Sequence, residues 1–391
     1  MEFEKDSNYS LILDMVRKKS PISRVLLAKA LYLSKVTVST IINELIDEGL
    51  IIEIGEGTGG EKGGRKPILL GLNASFKYAV GVDIGTTNTV AAIGNLRGEV
   101  LAKTQQRTRK DRSFRSVFKQ VSNLTDDILK TANLNRDVII GVGISVPGLV
   151  KSDEGVICVS PDLNWGSIEI NRVLGEMIKL PVVSDNCTRA MLLGAKWHGK
   201  ARDARNVFYV NIGYGVGSAL MVNNQIYSNH SEFGHIHVSD RRIRCHCGKF
   251  GCLEAVASGN AIERAANNTI DAKDENKDWI TAKRLAQRAR NGDSKAKKIF
   301  DEAGQYLGRA IAMAANVFNP DKIILGGGVT LANDLLIEAL QKEYEKHAMK
   351  VIKSSTVIEI SPLGMDAGAV GAIALALNRF LYKAELGKEL R

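Results

Sequence analysis

The sequence lacks any uninterrupted apolar run of the roughly 20 residues that a membrane-spanning helix needs. Its first ten residues, MEFEKDSNYS, are polar and acidic, unlike the start of a secretory signal peptide. From both absences we expect a cytoplasmic protein with no membrane partner. Cysteine is also scarce, because five residues in 391 are too few for a disulfide scaffold and an odd number leaves one over.

The charge of the chain does not by itself identify a partner. The formal net charge is +10, which is compatible with a polyanionic partner. However, the first 72 residues contain ten basic and ten acidic residues, so the excess positive charge lies elsewhere. Net charge alone therefore gives no argument for nucleic-acid binding, and the positions of individual charges matter more.

The N-terminal segment has the pattern of a winged helix-turn-helix. Helical periodicity is present over residues 9–19, 23–33 and 34–50, and two apolar extended runs then flank a basic, glycine-rich tip. In such a domain the third helix enters the major groove and the wing reaches phosphate or the minor groove. The alternative is a small helical domain for protein contacts. The predicted DNA-binding residues are Lys35, Thr37, Ser39, Thr40, Arg65 and Lys66.

The rest of the chain indicates a duplicated α/β architecture. The stretch YAVGVDIGTTNTVAAIG has the pattern of two strands around a glycine-containing turn, and NVFYVNIGYGVGSALMV repeats this pattern about 130 residues later. Such a repeat predicts two related lobes around a central cleft. We expect a winged helix-turn-helix over residues 1–72, a first lobe over 73–188 joined by a C-terminal helix at about 376–391, and a second lobe over 189–375.

Three of the five cysteines lie close together in the sequence. Cys245, Cys247 and Cys252 fall within eight residues, which in a reducing compartment indicates a metal site before disulfides. Zinc prefers four tetrahedral ligands, and three cysteines with one histidine form a common structural set. The nearby histidines are His235, His237 and His246, and spacing alone leaves the fourth ligand open between His235 and His237.

Several motifs, taken in order, resemble those of the ROK family (repressors, open reading frames and sugar kinases), and in particular its transcription factors. They are GGRKPILLGLN, DIGTTN, GISVPGLV, SPDLNW, SEFGHI, CHCGKFGCLEAVASG and NPDKIILGGG. The resemblance implies a two-lobed, actin/sugar-kinase/Hsp70-like (RNase H-like) domain that binds carbohydrate in its cleft. It also selects His235 as the fourth ligand of a structural zinc ion. The sugar-binding residues it implies are Asn164, Asp185, Asn186, Glu232, His235 and Glu254.

One position departs from the kinases of this family in a way that affects chemistry. They have Glu-Asn-Asp where this chain has Asp185, Asn186 and Cys187, and the final aspartate is the base that deprotonates the sugar. A thiol is a poor acceptor compared with a carboxylate, and Asp185 lies roughly 6–7 Å along the strand from the base position. Thr86, Asn88, Ser218 and Ala219, and a shortened segment at 228–231, are further departures. We therefore expect no kinase activity.

These observations predict a sugar-responsive DNA-binding regulator, in particular a repressor of carbohydrate-utilisation genes. We expect operator double-stranded DNA, a small-molecule sugar and a second copy of the chain as partners, in a homodimer or larger homo-oligomer. One alternative is a bifunctional ATP-dependent sugar kinase that also binds DNA. The other is a regulator that responds to a protein, such as a sugar-transport component, with no sugar in the cleft.

Overall fold

The computed structural model describes residues 7–58, 66–229, 231–269 and 279–382. The chain divides into two compact units, the first formed by Met1–Cys187 with Ala369–Arg391 and the second by Thr188–Gly368. Within the described ranges, no helix combines the length and apolar character needed to cross a membrane.

The first unit begins with the predicted three helices and wing. The β1-β3-β2 sheet is antiparallel, and β2 and β3 form the wing. Ser23 and Ser34 each accept a hydrogen bond from a backbone N–H of the helix that follows, so both cap a helix start. The winged helix-turn-helix is confirmed. Its elements are α1 (Ser7–Lys19), β1 (Ile22–Ser23), α2 (Arg24–Leu31), α3 (Lys35–Asp47), β2 (Ile51–Glu56) and β3 (Ile68–Leu72).

A five-stranded sheet forms the remainder of the first unit. Its order is β10-β7-β4-β5-β6, in which β5 runs antiparallel to its neighbours β4 and β6 and the other four strands run in the same direction. The elements are β4 (Tyr78–Ile84), β5 (Asn88–Asn95), β6 (Val100–Arg107), α4 (Phe114–Thr131), β7 (Ile139–Val146), β8 (Leu149–Lys151), β9 (Val156–Val159), α5 (Ile170–Ile178) and β10 (Val182–Asn186).

The second unit repeats this sheet topology. Its order is β13-β12-β11-β14-β15, again with one strand, β12, antiparallel to its neighbours and the other four in the same direction. The repeat confirms the predicted duplication. The elements that complete the chain are α6 (Cys187–His198), β11 (Val207–Ile212), β12 (Val216–Val222), β13 (Gln225–Ile226), α7 (Leu253–Ala257), α8 (Gly259–Thr269), α9 (Ala282–Arg290), α10 (Ser294–Phe318), β14 (Lys322–Gly326), α11 (Asn333–His347), α12 (Lys350–Ser355), β15 (Val357–Ile360) and α13 (Ala367–Leu377).

Glycines in the first sheet allow the alanine-rich helix α13 to pack directly against it. A Cβ atom added at Gly143 would lie 1.9 Å from the carbonyl oxygen of Ala372, and one at Gly81 would lie 2.4 Å from that of Ala369. Both oxygens belong to helix backbone, which cannot move aside without shifting the helix. The close approach of sheet and helix therefore requires glycine at these positions.

We expect Gly143→Ala to lower the free energy of unfolding of the first unit by about 1–3 kcal/mol, since the added methyl group has no space. The matched control is Gly166→Ala, because a Cβ there meets no atom within 4 Å. Denaturant unfolding of both variants measures the difference. Equal stability of the two variants would contradict the packing described for α13.

A carboxylic acid is buried at the end of β4. Asp83 keeps only limited solvent contact, and the Ser145 hydroxyl on the neighbouring strand β7 donates a hydrogen bond to it. Burial raises the pKa of Asp83 to about 6, although the Ser145 hydrogen bond acts in the opposite direction. The folded chain therefore holds the proton more tightly than the unfolded chain does.

The pKa of Asp83 is higher in the folded chain than in the unfolded chain. Ionisation of this group therefore lowers the free energy of unfolding as pH rises from about 4 to about 6. We expect Asp83→Asn to increase the free energy of unfolding by on the order of 2 kcal/mol at pH 7–8 and to have little effect near pH 4. Denaturant titrations of both proteins across this range test the expectation. A difference between them that does not change with pH would contradict it.

Candidate functional site

Four soft metal ligands meet at one point in the second unit. The ligand atoms of His235, Cys245, Cys247 and Cys252 all lie within 4.8 Å of one another. The Cys245 Sγ is 3.6 Å from His235 Nδ1, and the Cys247 Sγ is 3.7 Å from Cys252 Sγ. Ligands arranged tetrahedrally at 2.0–2.3 Å from one ion are about 3.3–3.8 Å apart, so these separations fit a zinc-sized centre. We call these residues the Cys₃His cluster.

The chain reaches this geometry through two tight glycine turns. Gly248 has a φ of 89° and Gly251 a φ of 74°, both in the left-handed region. A Cβ at Gly251 would lie 2.2 Å from the carbonyl oxygen of Ser239 and 2.6 Å from the ring of His237. His237 thus lies beside this turn, while His235 belongs to the cluster. The structure places in the cluster the histidine that the resemblance selects.

The cysteines of the cluster have different electrostatic environments. Burial raises the pKa of Cys245 to about 12 and also raises that of Cys252. At Cys247 burial acts in the same direction, but hydrogen bonds from the Lys249 backbone and the two other thiols lower the pKa. Because only thiolates bind a metal ion well, ion binding at this cluster must release protons.

Two carboxylates lie next to the cluster. One oxygen of Glu254 accepts the backbone N–H of Val216 at 2.9 Å, and the other is 2.8 Å from His246 Nδ1. Glu232 Oε2 is 3.7 Å from His235 Nε2. Glu232 and Glu254 therefore lie near His235, which is itself a member of the Cys₃His cluster. The contact of His246 with Glu254 was not predicted, because the two residues lie eight positions apart and most of the chain between them is irregular.

The other predicted sugar-binding residues belong to the first unit. At the end of β10, the Ser152 hydroxyl donates to Asp185 at 2.7 Å, and the Asn186 side chain donates to the Gly148 carbonyl oxygen at 2.9 Å. Cys187 follows directly as the first residue of α6 and is half-buried. Asn164 is exposed in a left-handed turn with a φ of 58°.

The two glycine-containing stretches, DIGTTN and NIGYGVG, each form a tight turn. In the first unit, the Gly85 N–H donates to the Asn88 carbonyl oxygen at 2.9 Å. In the second, a Cβ at Gly215 would lie 2.3 Å from Glu254 Oε2, so glycine there leaves space for the carboxylate. The Ser218 hydroxyl is 2.7 Å from that of Ser231.

The predicted DNA-binding residues are accessible to different degrees. Lys35 and Thr40 are exposed on α3, whereas Thr37 and Ser39 are half-buried, and the Thr37 hydroxyl is 2.8 Å from that of Ser34. Lys66 is exposed two residues before β3, with its Nζ 3.8 Å from Glu56 Oε2. Arg65 lies outside the described residues.

Comparisons with known proteins identify both parts of the chain. Residues 79–379 match the ROK family, and residues 10–52 match a winged helix-turn-helix DNA-binding domain. The chain is 28% identical to a xylose repressor of Caldicellulosiruptor bescii, over 96% of this chain and 97% of the relative. It is also 32% identical to a glucokinase of Halalkalibacterium halodurans, over 76% of this chain and 94% of that enzyme.

A solved structure shares the whole architecture. A ROK family transcriptional regulator described as a homologue of the E. coli MLC protein superposes with a TM-score of 0.83, at 27% identity, over 97% of this chain and 98% of that one. The glucokinase match covers a smaller share of this chain, while the two regulators match nearly all of it. The chain therefore belongs to the ROK family and carries an N-terminal winged helix-turn-helix domain.

Proposed function

We propose that this protein is a sugar-responsive transcriptional repressor of carbohydrate-utilisation genes. One observation carries the proposal: a single chain combines a winged helix-turn-helix with a carboxylate–histidine–carboxylate set beside a Cys₃His cluster. The first feature suits DNA and the second suits hydroxyl-rich ligands. Similarity to a protein named xylose repressor over nearly the full length gives independent support.

The proposed DNA partner is double-stranded operator DNA, bound by the module at residues 1–72. Helix α3 supplies Lys35, Thr37, Ser39 and Thr40 to the major groove, and the wing supplies Arg65 and Lys66 to the backbone or the minor groove. A homodimer would present two such modules to half-sites about 34–36 Å apart. A palindromic operator follows from that symmetry.

The proposed effector is a sugar held by Glu232, His235 and Glu254 of the second unit. A carboxylate accepts two hydroxyl protons, and such charge-assisted hydrogen bonds are stronger than neutral ones. In this chain Glu254 is already fixed by Val216 and His246, so little ordering is needed when sugar binds. In the first unit, the residues proposed to bind sugar are Asn164, Asp185 and Asn186.

The proposed role of the Cys₃His cluster is to hold a structural zinc ion. Four protein ligands leave no open coordination position, so zinc here would order the chain between His235 and Glu254 without taking part in chemistry. Binding at such a site contributes on the order of 10 kcal/mol to folding. The ion would thereby fix the side chains proposed to bind sugar.

The first unit lacks the base that phosphoryl transfer in the ROK kinases uses. Cys187 occupies the position of the kinase base, and a neutral thiol accepts a proton less readily than a carboxylate. Asp185 does not replace it, because it lies two residues earlier, roughly 6–7 Å along the strand from the base position. We therefore propose that the sugar is bound but not converted.

A metal analysis tests the zinc assignment. We expect about one zinc ion per chain in the purified protein and its loss in Cys245→Ser, because three ligands cannot hold the ion as four do. Cys158→Ser is the matched control, since Cys158 lies on β9, outside the cluster. Elemental analysis by mass spectrometry gives the stoichiometry. Zinc retention in Cys245→Ser equal to that in Cys158→Ser would contradict the assignment.

Calorimetric titration against a sugar panel tests the effector. We expect one sugar class to bind the wild-type protein and Glu254→Gln to weaken its binding by about 10- to 100-fold, through loss of charge-assisted hydrogen bonds. Glu338→Gln serves as the control, because Glu338 is an exposed carboxylate on α11, away from the cluster. An absence of heat with every sugar would instead favour a protein as the regulatory partner.

A further inference from the structure

The buried face of α3 defines which of its residues point outward. Four apolar residues of the helix form its buried side, namely Val38, Ile41, Ile42 and Leu45. With 3.6 residues per turn, the opposite side is an i, i+3, i+4, i+7 row. We call this the outer row, and it comprises Val36, Ser39, Thr40 and Asn43. Recognition helices that lie in the major groove read bases through a row with this spacing.

Val36 is an apolar side chain that nothing in the described protein covers. It is 76% exposed in the first turn of α3, and Tyr32, in the turn before the helix, is 96% exposed. The major groove offers one apolar group to such a side chain, the C5-methyl group of thymine. Contact with that methyl group would bury the Val36 side chain against an apolar group. Contact with a polar base edge would bury the same side chain less favourably.

Asn43, at the other end of the outer row, is oriented by a neighbour. Arg24 Nη2 donates to Asn43 Oδ1 at 3.2 Å, and Arg24 Nη1 is 3.1 Å from Glu53 Oε1 on β2. The carbonyl oxygen of Asn43 keeps a second lone pair, and its amide group keeps its donors. An acceptor beside a donor is the arrangement that forms paired hydrogen bonds to N6 and N7 of adenine.

We propose that Val36 and Asn43 are specificity-determining residues, with Val36 contacting a thymine methyl group and Asn43 an adenine edge. Seven residues along the helix correspond to about 10 Å, or about three base pairs, which sets the spacing of the two A·T pairs in each half-site. Ser39 and Thr40 lie between them. Lys35 and Thr37 flank the row, and Thr37 already contacts the cap residue Ser34. The inference rests on the proposed operator binding.

Selection of duplexes from a randomised DNA library by the full-length protein tests the inference. The wild-type protein should enrich half-sites with an adenine and a thymine about three base pairs apart. Asn43→Ala should lower the preference for adenine by about 10- to 100-fold, and Val36→Ala should lower that for thymine by a smaller factor. Both side chains are exposed, so the variants should melt like the wild-type protein. Val222→Ala, an exposed valine of the second unit, is the matched control and should select the wild-type motif.

Each outcome of the selection has a distinct meaning. A loss of preference at one position per variant, with the rest of the motif unchanged, supports the assignment. If the wild-type protein enriches a motif that both variants enrich equally, the assignment is wrong and operator binding stands. If the wild-type protein enriches no sequence, operator binding itself fails, and the assignment fails with it.

Discussion

Three sulfur atoms and one imidazole converge on a single point in the second unit. The positions of the side chains proposed to bind sugar depend on this convergence. The chain between His235 and Cys252 forms isolated bridges rather than extended strands or helices. Backbone hydrogen bonding alone would leave such a segment weakly ordered. An ion held by the Cys₃His cluster would cross-link it and fix His235 on one side and Glu254 on the other. The proposed sugar recognition would therefore depend on metal coordination, because His235 is itself a ligand and Glu254 follows the ligand Cys252 by two positions.

The duplicated sheets explain how one scaffold serves both regulators and enzymes of the ROK family. In each unit a tight turn at a glycine joins the first two strands of the sheet, and in the first unit Asp185 and Asn186 lie at the carboxyl end of β10. That arrangement suits the binding of a polar ligand, whether or not the ligand then reacts. Phosphoryl transfer additionally needs a base, and in this chain the proposed base position is occupied by a thiol. Under the proposed function, the difference between binding and catalysis would be local to Cys187 and its neighbours, while the fold is shared.

Much of the fold could be predicted from the sequence, because its determinants are local. The serine caps of α2 and α3, the helical spacing of Val38, Ile41 and Leu45, and the repeated glycine turn all lie within short windows. The site was less predictable. Spacing did not distinguish His235 from His237, and no local pattern pairs His246 with Glu254 or Asn186 with Gly148. These contacts join residues that come together only when the chain folds, so they depend on tertiary geometry.

The central claim is that this ROK domain binds a sugar without transforming it. The most direct test is to incubate the zinc-loaded protein with magnesium, ATP and the sugar that gives a calorimetric signal, and to follow products by phosphorus NMR. The account predicts that the sugar stays unphosphorylated while its binding remains measurable. Formation of a sugar phosphate ester at the roughly 1–100 s⁻¹ typical of kinases would contradict it.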